Sequence, residues 1–337
     1  MPNDKITVGL VGCGGAGRGI HMRLLHKHAD LYHAACCADV MPDAAVKLAS
    51  DFGLSAMSSV EELVTDPQVE LVVVATRPPV THRDIAVMAL AAGKHVVVEK
   101  PMAGTDAECA EMVAAADSAG RLLAVHHNRR WDVDFLTARH VLESDVLGEP
   151  RLVRNEYTAG FEGSSYDWGI HLVDQTMALS LGQPFVELTA TFARPHPEDP
   201  RESEGFFTAR LRTAEGVVHD LSMLPPAEGG TFLPGRMNYR FMLAGTEGVI
   251  YQQWCQRPED AYMKDFSLKS LQPGSGMSGL PFIATGLSIP DFYRMLHAAL
   301  REDGPVPVSG REGRRAVRAW ELICQAACEG RTLAINL

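Results

Sequence analysis

The sequence lacks any apolar run long enough to span a membrane, and its first residues include no apolar segment of the signal-peptide kind. Positive charge is also scarce: 31 Lys and Arg residues stand against 42 Asp and Glu residues, for a formal net charge of −11. Nucleic acids and anionic membranes are polyanions, so we expect neither as a partner. The seven cysteines form no CxxC pair, which predicts reduced thiols and a cytoplasmic location.

The chain has 337 residues, which is enough for two domains with separate cores. Its first third alternates short apolar strands with helical segments, a pattern that predicts a doubly wound parallel sheet of the α/β class. Beyond residue 128, alternating strands predict an α+β domain with a large, mostly antiparallel sheet. We therefore expect a Rossmann domain over residues 1–126 and a second domain over residues 127–337.

A glycine-rich turn joins the first strand, residues 6–11, to a helical segment. The turn carries the pattern G-x-G-x-x-G. In this pattern the first glycine permits a tight turn, the second lets a pyrophosphate approach the backbone, and the third lets helix and strand pack closely. The turn therefore predicts a dinucleotide site at the helix N-terminus, formed by Gly12, Gly14, Gly15, Ala16 and Gly17.

The second predicted strand ends in an acidic residue, Asp39. A carboxylate at this place accepts hydrogen bonds from the ribose hydroxyls of NAD and repels the 2′-phosphate of NADP. No arginine follows within residues 40–43 to receive that phosphate. The sequence therefore predicts NAD as the cofactor rather than NADP, with a strand-capping Asp that binds no ligand as the alternative.

Another strand, with three consecutive valines, ends in Glu99 and Lys100. Such a run predicts a strand buried on both faces. Open α/β sheets bind ligands at the carboxyl ends of their strands, so both polar residues are expected at the cofactor site. The loop after the preceding apolar strand adds Thr76, Pro78 and His82 as candidate cofactor neighbours. His82 is interpreted equally well as a helix cap.

Four segments of the chain resemble the glucose–fructose oxidoreductase/inositol dehydrogenase (Gfo/Idh/MocA) family; they cover residues 12–17, 91–101, 128–132 and 167–174. The resemblance implies an NAD(P)-dependent oxidoreductase with a cis peptide bond before Pro101. It also implies a homodimer or homotetramer formed through the sheet of the second domain. The chain departs from the family pattern twice: the loop over residues 75–82 is one residue longer, and His126-His127 replaces a Gly-Phe pair.

Asp167 and His171 are four residues apart on a predicted helix and so share one face. Taken alone, this spacing is commoner for a surface pair, and with no third ligand in view we predict no metal site. In a nicotinamide fold, His171 is expected as the acid–base group, since the ordinary pKa of histidine is about 6.5. Lys100 is expected to polarise the alcohol and relay its proton, and Asp167 to orient Lys100 or the substrate. Asp174 either joins this site or fixes the helix.

The leading function is NAD-dependent hydride transfer between the nicotinamide and a secondary alcohol of a sugar, sugar derivative or cyclitol. The alternatives are an NAD-dependent glycoside hydrolase of the same fold and a non-catalytic sugar or NAD sensor. Residues 259–284 are expected to form a long loop that borders the site. The residues expected to bind the polyol or sugar, each with an interdomain contact as the alternative where no catalytic role is assigned, are Lys100, Asn128, Arg130, Trp131, Tyr157, Asp167 and His171.

Overall fold

The computed structural model describes residues 5–158, 165–193, 206–224, 239–253, 268–272, 276–280 and 291–337. The chain divides into two compact units, Met1–His127 with Ile289–Val317 and Asn128–Ser288 with Arg318–Leu337. Among the described residues, no helix combines the length and the apolar character needed to cross a membrane. The six cysteines in the described ranges are all free.

The first unit contains a six-stranded sheet with the order β3-β2-β1-β4-β5-β6. All neighbouring strands in it run parallel. The strand order reverses on either side of β1, which places a crevice at the carboxyl ends of β1 and β4. This arrangement confirms the doubly wound Rossmann fold. Its elements up to residue 127 are β1 (Ile6–Val11), α1 (Met22–Lys27), β2 (Tyr32–Ala38), α2 (Pro42–Phe52), β3 (Ser55–Ala56), α3 (Val60–Thr65), β4 (Leu71–Val74), α4 (His82–Ala91), β5 (His95–Glu99), α5 (Asp106–Ala119) and β6 (Leu123–His126).

The valine strand β5 lies inside this sheet. It pairs with β4 on one side and β6 on the other, and Val96, Val97 and Val98 are fully buried. The prediction of a strand buried on both faces is therefore correct. Because the valines anchor the strand, its polar end is held at the carboxyl edge of the sheet.

The second unit contains a nine-stranded sheet with the order β14-β13-β12-β11-β7-β10-β9-β8-β15. Its neighbouring strands are antiparallel except for β7 and β10, which run parallel. The mostly antiparallel sheet predicted from the sequence is therefore confirmed. The elements are α6 (Val133–Glu143), β7 (Pro150–Thr158), α7 (Ser165–Leu179), β8 (Phe185–Phe192), β9 (Phe207–Thr213), β10 (Val218–Leu224), β11 (Tyr239–Gly245), β12 (Val249–Gln253), β13 (Leu268–Gln272), β14 (Gly276–Leu280) and β15 (Leu333–Ala334).

Helices α6 and α7 pack on one face of this sheet. Phe135 and Val141 of α6 are buried with Val153, Phe241 and Ile250 of the strands. Along β9 the buried and exposed residues alternate, as a strand covered on one face requires. On the opposite face, the exposed residues of β8 and β9 are all polar.

The first unit is completed by residues from near the C-terminus. Helix α8 (Phe292–Arg301) belongs to it, and α9 (Gly310–Glu329) begins in it. The Asp291 carboxylate accepts hydrogen bonds from Lys27 at 2.8 Å and from His28 at 2.7 Å, and Arg301 forms two hydrogen bonds to Glu70. A single linear boundary between residues 126 and 127 does not anticipate this return of the chain.

The prediction of a long loop over residues 259–284 is wrong where the structure describes this stretch. Strand β13 pairs with β12 and with β14 at the edge of the sheet. Interstrand hydrogen bonds form this edge without a strongly apolar pattern, so composition gives little sign of it. Residues 259–267, 273–275 and 281–284 lie outside the described residues.

His219 on β10 makes the stability of the second unit depend on pH. Its ring is buried against Phe185, with centroids 5.0 Å apart, and its Nδ1 has no hydrogen-bond partner among the described residues. Burial lowers the pKa of His219 to about 4, although the charge of Asp220 opposes this shift. The unfolded chain takes up this proton near pH 6.5, so the free energy of unfolding falls as the pH drops from 7 toward 4.

We expect His219→Phe to remove this contribution, which amounts to about 2 kcal/mol at pH 5. Denaturant unfolding of both proteins at pH 7.5 and pH 5.0 measures it, and the variant should lose about 2 kcal/mol less than the wild type between the two values. His33→Phe, at an exposed position, is the control and should behave as the wild type. Equal losses in all three proteins would contradict the prediction.

Candidate active site

Gly12 makes the turn at the end of β1. Its φ of +97° is a value that residues with a side chain rarely adopt. Its N–H donates to the carbonyl oxygen of Ala38 at 2.9 Å, and a Cβ here would lie 2.6 Å from the carbonyl carbon of Ala75. The carboxyl ends of β1, β2 and β4 therefore meet at a residue that has to be glycine.

The rest of the turn is closely packed on one side and open on the other. A Cβ on Gly17 would fall on the carbonyl oxygen of Gly12, whereas a Cβ on Gly14 or Gly15 would meet nothing within 4 Å. Ala16 directly precedes a π-helical turn over Gly17–His21, which continues into α1 within the predicted helical segment. Open backbone at a helix start is what a pyrophosphate group needs, so these residues fit the predicted dinucleotide.

Asp39 follows β2 and is half-buried beside this turn. Its Oδ2 accepts a hydrogen bond from the Cys13 N–H at 2.7 Å, and its Oδ1 accepts one from the Met41 N–H at 2.9 Å. The carboxylate thus holds the glycine turn in place. Because a carboxylate oxygen has two acceptor sites, each oxygen can accept a further hydrogen bond from a ribose hydroxyl.

The loop after β4 contains Thr76, Pro78 and His82. Thr76 exchanges a hydrogen bond with Thr81, oxygen to oxygen at 2.7 Å, and the Arg77–Pro78 peptide bond is cis. His82 is the first residue of α4, but its ring does not cap the helix. Its Nδ1 lies 3.0 Å from the carbonyl oxygen of Pro101 and its Nε2 lies 3.0 Å from that of Thr76. The His82 ring therefore lies between the two loops that follow β4 and β5, in contact with both.

Glu99 and Lys100 stand at the carboxyl end of β5. The Glu99 side chain is buried, and its Oε2 accepts the N–H of Lys100 at 3.0 Å. Its Oε1 contacts His126 Nδ1 at 2.8 Å and His21 Nε2 at 2.9 Å. The Lys100–Pro101 peptide bond is cis, as the resemblance implies.

In the second unit, α7 carries Asp167 and His171 one helical turn apart. His171 is buried and Asp167 is half-buried. Between them lies Gly169, where a Cβ would come 2.5 Å from the Trp320 ring and 2.9 Å from the Phe207 ring. A glycine at this position therefore lets the helix approach the aromatic core closely, which fixes the placement of both candidate catalytic residues.

Aromatic rings adjoin His171 in the same unit. The Trp168 ring lies 6.0 Å from the His171 ring, centroid to centroid, and stacks on Tyr157 at 5.8 Å. The guanidinium of Arg129 lies 5.9 Å from the centroid of Trp168. Tyr157 and His171 thus each lie against the Trp168 ring, and their shared role in binding substrate stays a prediction. Aromatic faces and a cation are suited to packing against a sugar ring and its hydroxyls.

Comparisons with known proteins cover nearly the whole chain and concern its family and its fold. Residues 6–127 match the model of the Gfo/Idh/MocA oxidoreductase family with its NAD-binding Rossmann fold, and residues 135–251 match the Gfo/Idh/MocA C-terminal domain. The chain belongs to the Gfo/Idh/MocA family. It is therefore an NAD(P)-binding oxidoreductase with the fold that its sequence predicts.

Individual Gfo/Idh/MocA relatives align end to end with this chain. The scyllo-inositol 2-dehydrogenase (NADP(+)) IolW of Bacillus subtilis is 29% identical, with 99% of this chain and 97% of the relative covered. The uncharacterized oxidoreductase YdgJ of Escherichia coli is 30% identical, with 99% of both covered. The crystal structure of an NAD-binding protein from Listeria innocua shares the fold, with a TM-score of 0.81, 24% identity and coverage of 98% and 97%.

A short 3₁₀ helix over Asn128–Trp131 holds three residues that the sequence predicts at the substrate site of this Gfo/Idh/MocA protein. Asn128, Arg130 and Trp131 are half-buried there. Arg130 donates from Nε and from a terminal nitrogen to the two oxygens of Asp174, at 2.9 and 2.7 Å. Asp174 on α7 is therefore joined to the 3₁₀ helix by Arg130. A contact of Arg130 with substrate stays a prediction.

Sequence reasoning misses a buried arginine in the second unit. Arg240 on β11 hydrogen-bonds Asn155 and Gln175 and lies 3.6 Å from Asp134. Nearby, burial raises the pKa of Asp132 to about 7, and the charge of Asp134 adds to that shift. The sequence motif around residues 128–132 points toward this group, but no local pattern marks Arg240.

Proposed function

We propose that this protein oxidises a secondary alcohol of a sugar, sugar derivative or cyclitol with NAD. The observation that carries the proposal is the glycine turn, which is open at Gly14 and held by the hydrogen bond from the Cys13 N–H to Asp39. Similarity over the full length to a relative named as a scyllo-inositol 2-dehydrogenase supports the choice of a polyol. When bound, the nicotinamide supplies a hydride acceptor, and the chain supplies proton transfer and orientation.

In this proposal His171 takes the hydroxyl proton, Lys100 donates a hydrogen bond to the same oxygen, and Asp167 orients Lys100 or the substrate. A cation aimed at an oxygen that gains negative charge stabilises the transition state more than the ground state. The spacing of Asp167 and His171 on α7 supports their joint role. The hydrogen bond from the Lys100 amide to Glu99 supports a fixed position for the lysine.

We expect Lys100→Met and His171→Asn each to lower kcat by a factor of about 10²–10⁴, the usual contribution of a positioned acid–base group. The Kd for NAD should change by less than about threefold in His171→Asn, since His171 is not among the residues expected to bind the cofactor. The measurement is NADH formation at 340 nm across monosaccharides, sugar acids and inositols. Lys47→Met removes a charge from an exposed site on α2 and should have no effect.

The same assay separates the competing functions. Release of sugar from glycosides without net NADH would replace the proposal by an NAD-dependent glycoside hydrolase. Binding of a sugar or NAD with no turnover, unaffected by Lys100→Met, would indicate a sensor. Retention of full kcat in Lys100→Met would contradict the mechanism itself.

The cofactor in this proposal is NAD rather than NADP, even though the relative IolW is named for NADP(+). The reason is the charge of Asp39, which would face a 2′-phosphate. We expect kcat/KM to be at least about tenfold higher with NAD, since two charges at close range repel by about 1–4 kcal/mol. Asp39→Asn keeps the size of the side chain and should reduce this preference about tenfold. An unchanged ratio would mean that Asp39 only braces the turn.

The proposal also includes a homodimer or homotetramer in the cytoplasm. The family resemblance implies a contact through the face of the second sheet opposite α6 and α7. That face carries Arg210, whose guanidinium binds Asp220 at 2.6 and 3.0 Å. The molar mass measured by light scattering on the purified protein should be two or four times that of one chain.

A further inference from the structure

We propose that a buried network of His21, Glu99, His126 and Tyr293 positions Lys100 for the reaction. The inference rests on the proposed function, because it assigns a role through Lys100. Both histidines contact the same carboxylate oxygen, Glu99 Oε1, while the other oxygen accepts the Lys100 N–H. The carboxylate is thereby held in one rotation about its terminal bond.

The protons of the network can be placed from its contacts. Burial acts to raise the pKa of Glu99, but the interaction with His126 and the hydrogen bond from His21 outweigh it and bring that pKa well below the usual range, so Glu99 is an anion. Burial lowers the pKa of His21, so that ring is neutral. Its Nε2–H then donates to Glu99 Oε1, and its Nδ1 accepts from the Tyr293 hydroxyl at 2.7 Å. His126 donates from Nδ1.

Ring packing keeps both imidazoles in place. The rings of His21 and His126 lie 4.6 Å apart, and Phe292 meets His126 edge to face at 4.8 Å. Both histidines and Glu99 are at most 6% exposed. Phe292 and Tyr293 lie on α8. The return of this segment to the first unit therefore supplies two of the side chains that hold the histidines in place.

Three of these residues, His21, Glu99 and His126, offer atoms that could hold a metal ion, but the distances between those atoms are those of hydrogen bonds. Two ligand atoms of a tetrahedral zinc site lie about 3.3 Å apart, given bond lengths of about 2.0–2.2 Å. The two contacts here measure 2.9 and 2.8 Å, which is the ordinary range of hydrogen bonds. The carboxylate therefore already has its partners without an ion.

His126 supplies one of the two side-chain contacts to Glu99 Oε1. His126 is accordingly a positioning residue: it acts on Glu99, and Glu99 acts on the Lys100 amide. Lost partners of this kind typically lower the activity that they support by a factor of about 10–100.

The test compares His126→Leu, which removes the donor, with His126→Asn, whose amide nitrogen can replace Nδ1–H. His33→Leu is the control, because it removes an exposed histidine of the same unit. One readout is hydrogen exchange at the Lys100 amide, which needs no substrate. Overlapping peptides resolve the signal of this amide, because the next residue, Pro101, has no N–H. The other is kcat with NAD.

We expect His126→Leu to speed exchange of the Lys100 amide at least about tenfold and to lower kcat about 10–100-fold, with KM for NAD within about twofold. His126→Asn should restore both to within about threefold, and His33→Leu should change neither. Unchanged exchange in His126→Leu, or no recovery in His126→Asn, would overturn the inference. The inference would also be overturned if the purified full-length protein held one transition-metal ion per chain and the His126→Leu variant held none. If the wild type oxidises no alcohol, the proposed function fails, while the exchange data still decide the positioning role.

Discussion

Gly12→Ala should cost about 3 kcal/mol of unfolding free energy and abolish measurable NAD binding. The backbone φ of +97° costs about 1–2 kcal/mol for a residue with a side chain. The new methyl group would lie 2.6 Å from the carbonyl of Ala75, and relieving such an overlap costs about 1–3 kcal/mol more. Moving that carbonyl separates the ends of β1 and β4, where the cofactor crevice begins.

Gly14→Ala is the matched comparison, since it adds the same methyl group two residues further along the turn. Nothing lies within 4 Å of that methyl, so the free energy of unfolding should change by less than about 0.5 kcal/mol. The affinity for NAD should still fall by a factor of about 10–100, because the methyl occupies the space needed by the pyrophosphate. Denaturant unfolding and calorimetric titration with NAD measure the two effects.

The two variants together separate a folding role from a binding role within one motif. Full NAD affinity in Gly14→Ala would place the pyrophosphate elsewhere and remove the main support for the proposed cofactor site. Wild-type stability in Gly12→Ala would mean that the turn can relax into a different path. Each result is decisive without knowledge of the alcohol substrate.

The first unit could be predicted from sequence because its signals are local. The valines of β5 and the glycines after β1 each specify an element within a few residues, and the parallel order follows from their repetition. The return of α8 could not be predicted in this way. It depends on pairs such as Tyr293 with His21, which are far apart in sequence and become neighbours when the chain folds.

The candidate site likewise combines features that local sequence predicts with contacts that form only when distant segments meet. Asp167 and His171 share a face because helix geometry fixes residues four apart. The stacking of Tyr157 on Trp168 depends on how β7 meets α7, and the burial of Arg240 depends on the partners it finds there. Strands β13 and β14 escaped prediction because their stability comes from pairing at a sheet edge and not from an apolar pattern.

The pair formed by Arg130 and Asp174 should contribute more to stability than any exposed ion pair of the chain. Asp174 is 1% exposed and Arg130 is 12% exposed, and the two share a bidentate contact. Removing one partner leaves the other charge buried, which typically costs about 3–5 kcal/mol. We therefore expect Arg130→Met and Asp174→Asn each to lower the free energy of unfolding by about 3 kcal/mol.

The double variant tests whether the loss comes from this contact. If it does, the combined loss should be smaller than the sum of the single losses by about 2 kcal/mol or more. Arg139 and Glu143 form the exposed comparison, at the same kind of distance, 2.8 Å, but with side chains 53% and 45% exposed. Removing that pair should cost less than about 0.5 kcal/mol.

The same variants decide between two roles for Arg130. If Arg130 binds substrate instead, Arg130→Met should raise KM for the alcohol and leave unfolding unchanged, while Asp174→Asn should affect stability alone. If the ion pair fixes α7, both variants should lower stability together and both should lower kcat, since His171 lies on that helix one turn before Asp174. The contacts favour the second outcome, because the two Arg130 nitrogens that bind Asp174 are already engaged within the fold.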